Sequence, residues 1–429
     1  MVDIKQILAA LEIGDGSIKL CVGEKFEDRI CIYQTFVESI SSIQNGNIID
    51  ENALIESLTK VIGNAKRSIP SLSLDNVVYS LPSNDLLIYQ TQATGRVANG
   101  YDIKEEDINL VKDSCKSLRG SSRTLHVDED REIIDVIPVE YYLSNGNKYF
   151  YAPIGERSET IKLQCSILTL PKDLVNLYRA ILQRVGINSS SYYISPIANY
   201  EAIKNSVQRD NVIIIDMGLK STTCSVFIAG KLRNTFQLPI GSFHMTKVIE
   251  KEFNIDFTTA EDIKIKFGSC YNNFEHKSSV YKKEDGKYIS DVALAKVIEG
   301  VMDELLDRIK EKLRDLLNQF TFTIVACGGG SHLINIEEKL MSVFNMESIL
   351  FIPETLGIRH SSYTALSGLL EICKDRQYID RLSKFTTREN KIAENLDKEI
   401  IVDKKINIME KKKTDTNTFG SIFDPEDFK

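Results

Sequence analysis

No tryptophan occurs in the 429 residues, and there are only nine prolines and five histidines. The histidines (His126, His244, His276, His332, His360) show no HExxH or other ligand spacing, which argues against a structural metal site. Eight cysteines lie scattered with no CxxC pair, so neither a zinc knuckle nor a disulfide framework is expected. They read as buried free thiols. No apolar run approaches the roughly 18 residues a bilayer-spanning helix needs. The first ten residues carry Asp3 and Lys5 where a signal peptide would have its apolar core. The chain therefore reads as cytoplasmic. An excess of positive charge is also missing: 53 Lys and Arg stand against 61 Asp and Glu, a formal net charge of -8. A dedicated nucleic-acid binder would concentrate cations to displace counterions from phosphates, so no nucleic-acid partner is expected.

What remains is ordinary globular material, 42% hydrophobic and 27% charged, long enough for about two to four domains. Two blocks read alike. The first has an apolar strand over 8–13, a turn at Gly14-Asp-Gly16, a returning strand over 17–22, a third over 30–33 and a helix over 51–66. The second has strands over 211–216, 222–228 and 232–238, a turn at Met217-Gly-Leu-Lys220 and a helix over 243–253. Each is an apolar strand ending in a carboxylate, a glycine-bearing turn and a returning strand. Two related α/β domains are the economical interpretation.

Between the blocks, residues 90–170 differ. A helix is predicted over 104–118, opened by Asp102 and further acidic residues, then a strand over 132–137 and a hairpin about Asn145-Gly146. This suggests an inserted subdomain. After the second block, apolar residues every four positions (Val297, Val301, Leu305, Ile309, Leu313, Leu317) predict a helix over 291–318. A strand over 322–327, the turn Gly328-Gly-Gly330, a helix over 332–343, a strand over 349–352 and a helix over 361–372 follow. From residue 374 onward, 25 of 56 residues are charged, 13 basic and 12 acidic, too polar for a packed domain.

Three turns could carry chemistry. Glu12-Ile-Gly-Asp-Gly-Ser-Ile-Lys19 brings backbone amides and a lysine toward an anion. Asp216-Met-Gly-Leu-Lys-Ser-Thr-Thr223 supplies a strand-end carboxylate suited to holding magnesium through water, with hydroxyls for phosphate oxygens. Cys327-Gly-Gly-Gly-Ser331, between strand and helix, leaves room for a flat base or ribose. Alone, each is compatible with a plain turn.

Their order and spacing resemble the phosphate and adenosine motifs of the actin, sugar-kinase and chaperone ATPase superfamily. Within it the chain most resembles FtsA, the actin-like bacterial division protein. Five stretches carry this: Asn45-Gly-Asn-Ile-Ile-Asp50, Arg131-Glu-Ile-Ile-Asp-Val-Ile-Pro138, Ala152-Pro-Ile-Gly155, Ala260-Glu-Asp-Ile-Lys-Ile-Lys-Phe-Gly268 and Ser361-Ser-Tyr-Thr-Ala-Leu-Ser-Gly-Leu369. The resemblance implies an α/β, actin-like two-lobed fold with duplicated ribonuclease-H-like domains and an inserted FtsA-type small subdomain. Domains are expected at 1–82 and 166–210 (first actin-like domain), 83–165 (insert), 211–373 (second actin-like domain) and 374–429 (charged linker and disordered tail).

It further implies ATP and magnesium in a cleft. Gly14, Asp15, Gly16, Ser17 and Lys19 would hold the phosphates from one side; Asp216, Gly218, Ser221 and Thr222 from the other. Glu261 and Lys264 would approach the ribose, and Gly328, Gly329 and Gly330 the adenosine, with Glu12 and Asp216 on magnesium through water. The implied function is to self-assemble head-to-tail and link FtsZ filaments to the membrane or a membrane-bound factor at the division site.

The chain departs from the family in four places. Glu12 stands for the usual aspartate. Leu219 and Lys220 replace glycines in the second phosphate turn, with Lys220 offering charge in compensation. Ile194-Ser195-Pro196 lacks the glutamate that positions water in hydrolysing relatives, so the expectation is at most a slow ATPase. The end of the chain lacks a basic amphipathic helix. Lys411-Lys-Lys413 predicts only weak membrane attraction, and Phe419, Ile422 and Phe423 suggest a short motif docking in a partner's groove. Alternatives are a PilM-like scaffold of a pilus or secretion machine and a small-molecule kinase of the same superfamily.

Overall fold

The computed structural model describes residues 7–27, 29–75, 77–98, 102–117, 128–189, 191–270, 278–283 and 286–374. The charged segment from 375 and its Phe419, Ile422 and Phe423 lie outside the described residues. The rest forms two compact units, one comprising the chain to Ile88, Glu129–Ile137 and the chain from Leu168, the other Tyr89–Asp128 and Pro138–Ile167.

The first unit contains two five-stranded sheets of identical layout. One runs Tyr192–Ile194, Val77–Leu81, Ile7–Ile13, Ser17–Phe26, Arg29–Ser39. The other runs Ser348–Leu350, Thr323–Cys327, Val212–Met217, Thr222–Ile228, Lys231–Leu238. In each, the first three strands in sequence pair antiparallel and the fourth and fifth join parallel. The repeat read in the sequence is thus a repeat of topology.

The unbroken apolar runs follow from burial on both faces. Val212 and Ile214 join one core with helices Glu51–Ser68 and Lys172–Arg184, whereas Ile213 and Ile215 join another with helices Ser242–Phe253, Phe257–Phe267 and Asp291–Gln319. In the first sheet Ala9 and Leu11 face the first of these cores, while Leu8 and Ala10 meet Leu366, Leu369 and Leu370. Those leucines lie on the helix over 364–374. A Cβ on Gly368 would fall 1.7 Å from the Ala198 carbonyl oxygen, so that helix packs backbone to backbone on Ser195–Ile203.

The long helix Asp291–Gln319 forms where the spacing predicted it, and Val301, Leu305, Ile309 and Leu313 of the six spaced residues are buried. Buried are Leu294, Ile298, Val301, Met302, Leu305, Leu306, Ile309 and Leu313. Val297 and Leu317 only flank this core. At 3.6 residues per turn a spacing of four advances about 40° per step, roughly 200° over the five steps from 297 to 317. No single face can hold all six residues.

A four-stranded sheet has the order Leu87–Arg96, Thr160–Pro171, Arg131–Leu143, Lys148–Tyr149, and the second unit carries helix Glu105–Ser117. Ile108, Val111 and Cys115 give that helix its buried face, and Asp107 secures its start by accepting from the amides of Lys104 (2.9 Å) and Ala98 (3.0 Å). The predicted Asn145-Gly146 turn is present, with Gly146 at φ +87°.

Candidate functional site

Within the first unit, the ends of both hairpins border a cleft of about 430 Å³. The two turns repeat one another. In the first, the Gly14 amide donates to the Ser17 carbonyl at 3.0 Å; in the second, the Gly218 amide donates to that of Ser221 at 2.9 Å. Glu12 and Asp216 hold equivalent places one residue before the closing pair of each hairpin, opposite Lys19 and Thr223. The amides of Asp15, Gly16, Leu219 and Lys220, at the tips, donate to no acceptor among the described residues. Successive free amides of this kind form a concave anion cradle.

The third turn closes against the second. Gly328 adopts φ +84°, and a Cβ there would lie 2.4 Å from Asp216 Oδ1 and 2.6 Å from the Met217 oxygen. Glycine is required for both conformation and space. Gly330 is similarly enclosed by Met217, Ser242 and Gly218, whereas a Cβ on Gly329 would meet only Ser362 Cβ at 3.5 Å. Gly329 is thus the open member of the triad, and it faces the cleft.

Charged groups on the wall are Glu12, Asp15, Lys19 and Asp216. Lys19 Nζ bonds Glu12 Oε1 at 3.0 Å and the Ser362 carbonyl at 2.5 Å. Asp15 accepts from the Gly46 amide (2.9 Å), the Asn45 amide (3.2 Å) and Ser221 Oγ (3.3 Å), so it braces the turns rather than presenting a free carboxylate. Asn199 Nδ2 donates to Asp216 Oδ2 at 2.9 Å. Burial first, then the charges of Glu12 and Asp15, push the Asp216 carboxyl above its ordinary range, against the opposing pull of Asn199 and Lys19. Glu12 Oε2 and Asn199 Oδ1 are buried with no hydrogen-bond partner among the described residues. Such orphaned acceptors suit a hydrated cation. No group of three His, Cys, Asp or Glu able to hold a metal occurs among the described residues, so any magnesium would rest on few carboxylates, water and ligand oxygens.

Of the residues singled out in the sequence, Glu12, Gly14, Asp15, Gly16, Ser17, Lys19, Asp216, Gly218, Ser221, Gly328, Gly329 and Gly330 all line the cleft. Three do not. Thr222 is buried with its hydroxyl donating to the Ile240 carbonyl at 2.6 Å, and strand alternation turns Thr223 to the cleft instead. Lys264 is buried behind Ser242, its ammonium bonded to the Ser242 carbonyl (3.0 Å), Thr246 Oγ1 (2.8 Å) and Glu261 Oε2 (2.8 Å). Glu261 is held in that network. Nor does Lys220 offer its charge: its Nζ binds the Ile43 carbonyl at 2.8 Å. Sequence reasoning missed Asn199, Gln237, Ser242 and Ser362, which reach the wall from separate segments. Ser242 and Ser362 had a local signal, each lying at the start of a predicted helix, whereas Asn199 and Gln237 had none.

With the geometry in place, comparison with known proteins shows what the chain resembles. A family model described as cell division protein FtsA matches residues 213–368. Cell division protein FtsA of Streptococcus pneumoniae serotype 2 (strain D39 / NCTC 7466) is 25% identical over 380 residues, 87% of this chain and 81% of that protein. The chain is FtsA-like. Cell division protein FtsA of Bacillus subtilis (strain 168) is 22% identical over 91% of this chain and 88% of its own length. Among solved structures, a PilM-PilN type IV pilus biogenesis complex matches with a TM-score of 0.59 at 16% identity, over 85% of this chain and 98% of that one. That likeness concerns the fold, which is actin-like, as the FtsA resemblance implied. No helix among the described residues is long and apolar enough to cross a membrane.

Proposed function

We propose that this FtsA-like chain is a nucleotide-binding cell division protein that assembles head-to-tail and links FtsZ filaments to the membrane or a membrane-bound factor. The observation that carries the nucleotide part is the convergence on one cleft of two turns with free tip amides and a glycine turn open at Gly329. Phosphate oxygens accept from such amides without steric cost, and the open glycine leaves a flat face for a base. Glu12 Oε2, Asn199 Oδ1 and Asp216 supply the acceptors for hydrated magnesium that would accompany ATP. Magnesium contributes charge compensation of the phosphates.

Turnover is slow or absent in this proposal. Ser195 lines the cleft where hydrolysing relatives carry a glutamate, and its hydroxyl donates to the Leu81 carbonyl at 3.3 Å. A hydroxyl is a poor base and this one is already engaged. The division role rests on relatives named cell division protein FtsA that align over most of the chain. It favours the division adaptor over a pilus scaffold or a kinase. The site of action is then the inner face of the cell membrane, reached weakly through the lysines at 411–413 and by partner contacts of the tail.

Equilibrium binding of fluorescent adenine nucleotides with magnesium tests the core of this reading. Wild type binds, and Gly329→Trp, which fills the open face while leaving Gly328 and Gly330 intact, loses at least tenfold in affinity. Equal affinity in both proteins would place the nucleotide elsewhere; binding by neither would leave a scaffold without nucleotide.

A further inference from the structure

Asn199 is only 2% exposed, yet half of its polar head has no partner. It lies on helix Ser195–Ile203, which the close backbone contact between Ala198 and Gly368 fixes in place. Its Nδ2 donates to Asp216 Oδ2 at 2.9 Å. An ionised carboxylate only accepts, so this bond sets the amide's orientation and leaves Oδ1 as the free atom. Oδ1 has no hydrogen-bond partner among the described residues. Glu12 repeats the pattern: Oε1 is paired with Lys19 Nζ at 3.0 Å, while Oε2 is buried and without a partner. Among the described residues, these two are the buried partnerless side-chain atoms that belong to the cleft wall, and both can only accept.

We infer that the cleft binds a divalent cation without nucleotide, with Asn199 Oδ1 and Glu12 Oε2 as direct ligands beside Asp216. This rests on the reading of the cleft given above and goes beyond it: the cation belongs to the chain itself instead of entering with the phosphates, and Asn199 is one of its ligands. Two stranded acceptors can be satisfied by water or by a cation, and charge decides between them. Glu12, Asp15 and Asp216 stand against Lys19 alone, which leaves negative charge in excess on the wall. Glu12 and Asp15 both act by charge on Asp216, so the three carboxylates share one electrostatic environment. Lys19 is committed to Glu12 and the Ser362 carbonyl, and Lys220 to the Ile43 carbonyl. Water leaves the excess as it stands, whereas a divalent cation offsets it. Carboxylate and amide oxygens are hard donors, which suit magnesium, manganese or calcium. So few protein oxygens fit an ion that keeps several waters, as magnesium does, better than calcium with its larger ligand set. Metal-ligand groups of three His, Cys, Asp or Glu do not occur among the described residues, and this site differs from them in drawing one oxygen from an amide.

Titration of the full chain with manganese in the absence of nucleotide, followed by electron paramagnetic resonance, tests this. Wild type takes up a single manganese ion, and magnesium displaces it. Asn199→Ala and Glu12→Gln each weaken manganese binding by about tenfold or more. Asn84→Ala removes another buried partnerless amide oxygen, one that does not line the cleft, and binds manganese as wild type does. Where Asn199→Ala does not fold by circular dichroism, Glu12→Gln, at a partly exposed position, carries the comparison. Manganese taken up only after an adenine nucleotide is added overturns the inference while the nucleotide reading stands. A folded Asn199→Ala that binds manganese with wild-type affinity also overturns it. Manganese bound by the bare chain and weakened by both substitutions, with fluorescent adenine nucleotide rejected, supports the inference and ends the nucleotide reading.

Discussion

Alanine at position 328 should be far more damaging than alanine at its neighbour 329, although the two residues are chemically identical. The φ of +84° at Gly328 places an L side chain in the left-handed region, at about 1–2 kcal/mol. Its Cβ would sit 2.4 Å from Asp216 Oδ1, 2.6 Å from the Met217 oxygen and 2.9 Å from the Met217 carbonyl carbon. The last two are backbone atoms in a sheet, so the turn must move, which costs about 1–3 kcal/mol by analogy with overpacked cores. Reduced freedom of the unfolded chain returns only about 0.4–1 kcal/mol. A net loss of about 1–4.5 kcal/mol follows for Gly328→Ala. At Gly329 no positive φ is required and the nearest contact is an ordinary 3.5 Å, so Gly329→Ala stays within about 0.5 kcal/mol of wild type. Urea denaturation followed by circular dichroism measures the difference as a shift in midpoint. Equal midpoints for the two variants would refute the close approach of the triglycine turn to Asp216 and Met217.

Two further outcomes are expected. Asp216→Asn should stabilise the protein at neutral pH, because burial and the nearby Glu12 and Asp15 raise the carboxyl's folded pKa and penalise its charged form. That penalty is complete above the folded pKa and absent below the unfolded value of about 3.9, so the gain in melting temperature should shrink as pH falls. A gain that persists undiminished in acid would remove the electrostatic explanation. Lys264→Met should cost about 2–3 kcal/mol in denaturant unfolding by removing the ammonium that pairs the partly exposed Glu261 and bonds the Ser242 carbonyl and Thr246, which keep only their contacts with one another, while nucleotide affinity changes less than threefold. A tenfold affinity loss with unchanged stability would put Lys264 at the ligand instead.

Local rules account for most of the secondary structure and for part of the site. The Asn45-Gly46 turn is readable from residue type, since both take positive φ in a two-residue hairpin loop, and Asp50 caps the next helix by accepting from Ala53 at 3.0 Å. The carboxylate and glycine at each hairpin are read the same way. The orientation of side chains beyond the turns is not. Thr222 and Thr223 are adjacent and alike, and only the pairing of the strand decides which one faces the cleft.

By itself, then, the sequence determined the two repeated hairpins, their glycine turns and the strand-end carboxylates, because apolar periodicity and positive-φ positions are local properties. Tertiary structure alone decided what those parts do to one another. It sets Leu219 on Gly16, ties Asp15 to Ser221 across 206 positions, joins Lys19 to Ser362 across 343, and buries Lys264 behind Ser242. Contacts between such distant residues depend on how sheets and helices pack, and no pattern within a window of neighbouring residues encodes them.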